Sequence, residues 1–218
     1  MKHAVKLSGV GRRFGTHWAI AHLTFEVERG CVVVLTGSNG AGKTTLLRVL
    51  ATALRPTLGE LRLFGTDAAS NPSQIRSRLA LLTHDSHLYS DLSGYENLAL
   101  LARLLKRPRH LVSEALERVG LSEAANQAVR GYSAGMKRRV GLARVLLSQP
   151  ELVLLDEPFG QLDPEGVALM EEVVQQLHAR GATVFLSTHD VERGLKLADQ
   201  HLVMKAGQTT GLVPTTAA

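Results

Sequence analysis

Four short runs, CVVVLT (31–36), LALLT (79–83), LVLLD (152–156) and TVFLS (183–187), are almost continuously apolar. Runs of this length without polar alternation predict strands covered on both faces, as in a parallel sheet held between two layers. Helix-like segments separate and follow them: TTLLRVLATAL, residues 95–106, SAGMKRRVGLARVLL, EGVALMEEVVQQLHAR and DVERGLKLADQ. Strand followed by helix, repeatedly, predicts an α/β layered architecture.

Two regions break the pattern. In the first 30 residues, LTFEVE alternates apolar and polar, which predicts a half-buried antiparallel strand; GELRLFG (59–65) and HLVMKAGQ (201–208) are expected to join that smaller sheet. Residues 88–145 read as helices only, a helical insertion. The expected organisation is therefore one domain over 1–218: an α/β core of 1–87 and 146–218 with its antiparallel sheet, and a helical subdomain of 88–145. The closing LVPTTAA reads as a loose tail.

The 218 residues suffice for one domain with an insertion. Hydrophobic residues at 44%, charged at 21% and aromatics at 4% predict an aliphatic core and argue against disorder. One cysteine, Cys31, allows neither an internal disulfide nor a cysteine-only metal site. Together with the absence of an apolar leader in MKHAVKLSG, it points to a reducing, cytosolic compartment. The richest apolar stretch, LALLARLLKRPR, is interrupted at Arg103 and Lys106, short of the ~18 residues of a membrane span. The formal charge of +5 suits polyanions, acidic membrane surfaces and nucleotides alike.

After CVVVLT the chain reads GSNGAGKTT, which fits G-x-x-x-x-G-K-[ST] between a buried strand and a helix. In such a loop Gly37, Ser38, Asn39, Gly40, Ala41, Gly42, Lys43, Thr44 and Thr45 form a phosphate cradle. The glycines turn backbone N–H groups inward, Lys43 reaches the outer phosphates, and the Thr44 hydroxyl is a magnesium ligand. LVLLDEP places Asp156 at a strand tip, suited to hold magnesium, and Glu157 beside it, suited to activate water. Pro158 is expected to keep Glu157 extended. In STHD, His189 ends the next buried strand and Asp190 caps the following helix. Ligands of open parallel sheets gather at that edge.

These elements, with GQLD after the second acid and YSAGM at 132–136, resemble in their order the ATP-binding subunit of an ABC transporter over essentially the whole chain. GSNGAGKTT is similar to Walker A, LVLLDEP to Walker B with its catalytic glutamate, GQLD to the D-loop, STHD to the switch histidine and YSAGM to the signature. The resemblance implies ATP and Mg²⁺ as ligands and ATP hydrolysis as the activity. It also implies a second ATP-binding subunit, with Ser133 and Gly135 of one copy facing the Walker A loop of the other and Asp163 contacting the opposite subunit. Integral membrane subunits are implied as partners, and a peripheral position on the cytoplasmic face of the inner membrane. Phe14 stands where the family stacks an aromatic on adenine; a core place in the small sheet is the competing reading. His84 stands at the position of the usual magnesium-contacting glutamine, with Asp85 as the alternative one residue on.

The signature departs from the family pattern at Tyr132, Ala134 and Met136. Those variants, a histidine at position 84 and the compact length are similar to the haem exporter's ATP-binding subunit in cytochrome c maturation, with drug and ion exporters as close alternatives. A DNA-repair or chromosome ATPase of the same superfamily is the rival class. The short spacing of about ninety residues between Walker A and signature argues against it, and no nucleic-acid partner is expected. The face from His84 to Lys106, with Tyr89 and Tyr95, is where the family docks its membrane partner. Lys106, Arg107 and Arg109 are read as a solvated face or one near acidic headgroups, and Lys137, Arg138 and Arg139 as needing no partner beyond water.

Overall fold

The computed structural model describes residues 2–215. β1 (His3–Phe14) and β2 (His17–Glu28) form a long antiparallel hairpin. In β2 the alternation seen in the sequence is real, with Leu23, Phe25 and Val27 buried and Thr24, Glu26 and Glu28 exposed. β3 (Val32–Thr36) follows, then α1 (Lys43–Leu50), β4 (Leu58–Leu63), β5 (Thr66–Asp67), the short α2 (Pro72–Arg76) and β6 (Leu79–Leu82). The helical region holds α3 (Gly94–Leu104), α4 (His110–Arg118) and α5 (Ala134–Ser148). The chain closes with β7 (Leu152–Asp156), α6 (Pro164–Ala179), β8 (Thr183–Ser187), α7 (Val191–Leu197), β9 (Gln200–Lys205) and β10 (Gln208–Pro214).

Two sheets result. One is antiparallel, in the order β2-β1-β4-β5; the other runs β10-β9-β3-β8-β7-β6 and is parallel except where β10 turns back on β9. The fold class is thus α/β, with a mainly parallel sheet, a small antiparallel sheet and a helical insertion. The central strands serve two cores at once. Val32, Val34, Val153, Leu155, Val184 and Leu186 face a cluster shared with α5, α6 and the helical region. Their neighbours Val33, Leu35, Leu152, Leu154 and Phe185 face α1 and the antiparallel sheet. Burial on both faces is why these strands lack polar alternation. On α6 the inward residues Met170, Val173, Val174 and Leu177 recur at the spacing of one helix face.

Three expectations are corrected. Residues 201–208 do not join the small sheet: β9 lies parallel to β3, with Val34 opposite His201 and Leu35 opposite Leu202. Only one face of β9 is fully covered, at Leu202 and Met204, so its sequence alternates as an antiparallel strand would. α1 ends at Leu50 rather than running through TTLLRVLATAL, because Thr52 enters the left-handed region at φ 56°. Leu212–Pro214 belong to β10 rather than to a tail; the last three residues of that expected tail lie outside the described residues. Among the described residues no helix is long and apolar enough to cross a membrane.

Candidate functional site: a phosphate cradle at the sheet edge

The loop between β3 and α1 depends on two glycines. Gly37 has φ 146°, and a Cβ there would lie 2.2 Å from the Met204 carbonyl oxygen. Gly42 has φ 104°, and its Cβ would meet the Ala19 carbonyl oxygen at 2.5 Å. Side chains at either point would push the loop off the strands beneath it. Lys43, only 7% exposed, folds back so that Nζ donates to the carbonyls of Gly37 (2.7 Å) and Ser38 (3.3 Å). No side chain caps α1, so its first N–H groups keep no intrahelical partner at the loop. This helix start therefore suits an anion.

Residues Asn39–Thr45 line one cleft of about 380 Å³ together with Phe14, His17, Ala19, Asp156, Glu157 and His189. Asp156 is buried at the tip of β7, its Oδ1 accepting from the Ser187 hydroxyl at 2.7 Å. The same Ser187 oxygen accepts from the Glu157 N–H at 3.0 Å, so one side chain of β8 locks both acids to the neighbouring strand. His189 approaches Glu157 twice, with Nε2 3.1 Å from Oε1 and its backbone N–H donating to Oε2 at 3.3 Å. Phe14 is 46% exposed, which removes the core-residue reading, and the Arg12 guanidinium lies 4.7 Å from its ring centroid. For a metal, the cleft offers the Thr44 hydroxyl and the Asp156 carboxylate; among the described residues no group of three His, Cys, Asp or Glu side chains gathers. Two hard oxygen donors, with the rest left to phosphate and water, fit Mg²⁺.

Ser133, Gly135 and Asp163 line a different, wider cleft of about 910 Å³. Ser133 caps α5, its Oγ accepting from the Met136 N–H at 3.1 Å. Asp163 caps α6 through the Gly166 N–H (2.8 Å) and accepts from Arg139 (3.2 Å). The Gly166 hydrogen bond, with Arg139 assisting, holds the Asp163 carboxyl below its ordinary pKa. Tyr132, where the family has leucine, is buried and donates its hydroxyl to the Ala124 carbonyl at 2.6 Å. His84 is exposed and lines neither cleft; Asp85 lines a third groove, beside Leu101, Leu104 and Arg144.

Two expectations fail at the tips of these elements. Pro158 does not keep Glu157 extended: its φ is 49°, in the left-handed region. Nor are Arg138 and Arg139, two of the three basic residues after the signature, free in water. Arg138 is 6% exposed and donates to the carbonyls of Thr83 (2.6 Å), Asp156 (3.0 Å), Pro158 (3.4 Å) and Glu157. Burial lowers its pKa, while the charges of Asp156 and Glu157 act to raise it. Arg139 spans from the Val119 carbonyl to Asp163. In the other basic stretch, Arg107 donates to the Ser148 carbonyl (3.0 Å) and Arg109 to the Tyr95 hydroxyl (3.1 Å). Arg138, Ser187 and His17 were not foreseen as site residues. Arg138 had a signal in the sequence, since Gly141, Leu142 and Val145 follow it at the spacing of one buried helix face.

The sequence profile described as "ABC transporter" matches residues 20–160. The daunorubicin resistance ATP-binding protein DrrA3 of Streptomyces coeruleorubidus is 40% identical over 94% of this chain and 66% of its own length. The bacitracin transport ATP-binding protein BcrA of Enterococcus faecalis is 34% identical over 95% of this chain and 68% of its own. The chain thus spans about two thirds of the length of these relatives. Among solved structures, an ATP-binding subunit of an ABC transporter superposes with a TM-score of 0.90 at 26% identity, covering 97% of this chain and 90% of that one. With the profile covering well over half its length and the loop, acids and histidine meeting in one cleft, the chain belongs to the ABC transporter family, as an ATP-binding subunit.

Proposed function

We propose that this chain binds and hydrolyses ATP to drive transport through separate membrane-spanning partners. The observation that carries the reading is the meeting of the glycine loop, Lys43, Asp156, Glu157 and His189 in one cleft. The loop N–H groups and Lys43 hold the phosphates, and Phe14 offers its exposed ring to the base. The Glu157 carboxylate accepts a proton from the water that attacks the γ-phosphorus, and the bond to the bridging oxygen breaks to leave ADP and phosphate. His189 orients Glu157 and keeps it at the phosphate end of the cleft. Mg²⁺, held by Thr44 and Asp156, would neutralise phosphate charge; His84, proposed as a further ligand, lies outside the cleft as it stands here.

Within one chain, Ser133, Gly135 and Asp163 lie in a cleft separate from the phosphate loop. This separation supports a second copy, whose signature would close over this chain's nucleotide. The groove lined by Asp85, Ser86, His87, Leu101 and Leu104 is the proposed seat of the membrane partner, which would hold the subunit at the cytoplasmic face of the inner membrane. Exposed Tyr89, Leu100 and Leu104 give this region an apolar surface.

For the cargo, the names of the relatives favour an antibiotic exporter over the haem exporter of cytochrome c maturation, since the two compared are named for daunorubicin resistance and bacitracin transport. The test has two parts. ATP hydrolysis is measured with the chain and its co-purified membrane partners, and cells with and without the chain are challenged with daunorubicin, bacitracin and haem limitation. Drug sensitivity without the chain supports the exporter reading. A defect confined to cytochrome c assembly would restore the haem reading.

A further inference from the structure

On α5, Arg138 shares a face with Gly141, Leu142 and Val145, and that face is buried against the sheet and the helical core. A guanidinium placed there is costly unless its donors are filled. Arginine carries five N–H donors in a rigid planar fork, and here they reach four backbone carbonyls on two segments. One is Thr83, just past β6; the others are Asp156, Glu157 and Pro158 in succession. Three consecutive carbonyls do not converge on one group from an extended chain. They do so here because Glu157 takes a left-handed φ of 49°, which non-glycine residues avoid and which a following proline disfavours further. A disfavoured conformation persists only where its surroundings impose it.

We infer that Arg138 is a positioning residue for hydrolysis: its fork imposes the left-handed turn that aims the Glu157 carboxylate at His189 and the phosphate end of the cleft. Arg138 reaches no substrate and acts only through the backbone of Glu157. Ser187 holds the same residue from the opposite side, at its N–H. Because the guanidinium rides on the helix that Ser133 caps, a shift of that helix reaches Glu157 through a single side chain. The inference rests on Glu157 being the group that activates water.

The test uses the full chain with its membrane partners and compares Arg138→Lys, which keeps the charge but loses the fork, with Arg138→Met, which loses both. Melting temperature and ATP affinity establish that each variant is folded. The expected result is a kcat lowered about tenfold or more, with KM within about threefold of the parent, the pattern of a lost transition-state interaction. Combined with Glu157→Gln, either substitution should lower the residual rate by less than about twofold, because groups acting as one unit are not additive. Folded variants with unchanged kcat, or losses that multiply with Glu157→Gln, would overturn the inference while leaving ATP hydrolysis by Glu157 intact. Full activity in Glu157→Gln alone would instead remove the water-activating role, and the inference with it.

Discussion

His189 Nε2 lies 3.1 Å from Glu157 Oε1 while the histidine's own N–H faces the other carboxylate oxygen. One carboxylate oxygen thus accepts a hydrogen bond from the residue just past β8 while the other lies buried beside its imidazole. Glu157→Gln keeps the shape of this pair and removes the proton acceptor. ATP binding should persist, and hydrolysis should fall by about 10² to 10⁴. Size-exclusion chromatography with Mg²⁺ and ATP should show the variant accumulating as a dimer, and normal turnover would exclude Glu157 from the reaction.

Phe14 stands exposed on the hairpin with Arg12 against its ring. Phe14→Ala should weaken ATP binding by about 0.5 to 1.5 kcal/mol, roughly two- to tenfold, while Phe14→Trp should retain it. Tripolyphosphate, which has no base, should bind both variants as it binds the parent. Calorimetric titration distinguishes these outcomes.

A Cβ on Gly94 would lie 2.6 Å from the Tyr132 hydroxyl oxygen, so the first turn of α3 and the signature tyrosine occupy contiguous space. Gly94→Ala should destabilise the fold by about 1 to 3 kcal/mol through overpacking. Tyr132→Phe removes the hydrogen bond to the Ala124 carbonyl and should cost about 1 kcal/mol. The double variant should be more stable than the two losses added, because removing the hydroxyl makes room for the methyl group. Urea denaturation of the three variants measures the coupling.

Glu96 and Asp163 cap α3 and α6, and hydrogen bonds to the charged forms hold both carboxyls below their ordinary values of 4.5 and 3.8. For Glu96 the Ser93 N–H is the main cause, and for Asp163 it is the Gly166 N–H, followed by Arg139. A carboxyl with a depressed folded pKa contributes fully above its unfolded value and loses that contribution as pH falls through the folded one. Stability should therefore drop with acidification below about pH 4.5, and less steeply in Glu96→Gln and Asp163→Asn, which have nothing left to protonate. Thermal melts across that window check the slope.

The features legible in the sequence were those that local pattern determines. Strands covered on both faces write themselves as unbroken apolar runs, and the phosphate loop needs glycines at fixed offsets because Met204 and Ala19 crowd it. β9 hides its place in the parallel sheet because one of its faces is only partly covered, so its alternation resembles that of an edge strand. The backbone of Glu157 departs from expectation because the preference of a residue before proline is local, whereas its hydrogen bonds to Arg138 and Ser187 come from distant segments. Arg138 itself was hidden among Lys137 and Arg139, where a run of positive charge reads as a wet surface. The division of Asn39–Thr45 and Ser133 between two clefts required the folded chain.

Phe14 and His17 hang from the antiparallel sheet, whereas Asn39 to Thr45 extend from the parallel one, yet both sets line a single cleft. Anything that fills it rivets the two layers, and the cleft becomes a ruler that rewards ligands long enough to touch both. Heat resistance should therefore rise more with an intact nucleotide than with pyrophosphate at equal concentration, because only the nucleotide gains affinity from both layers.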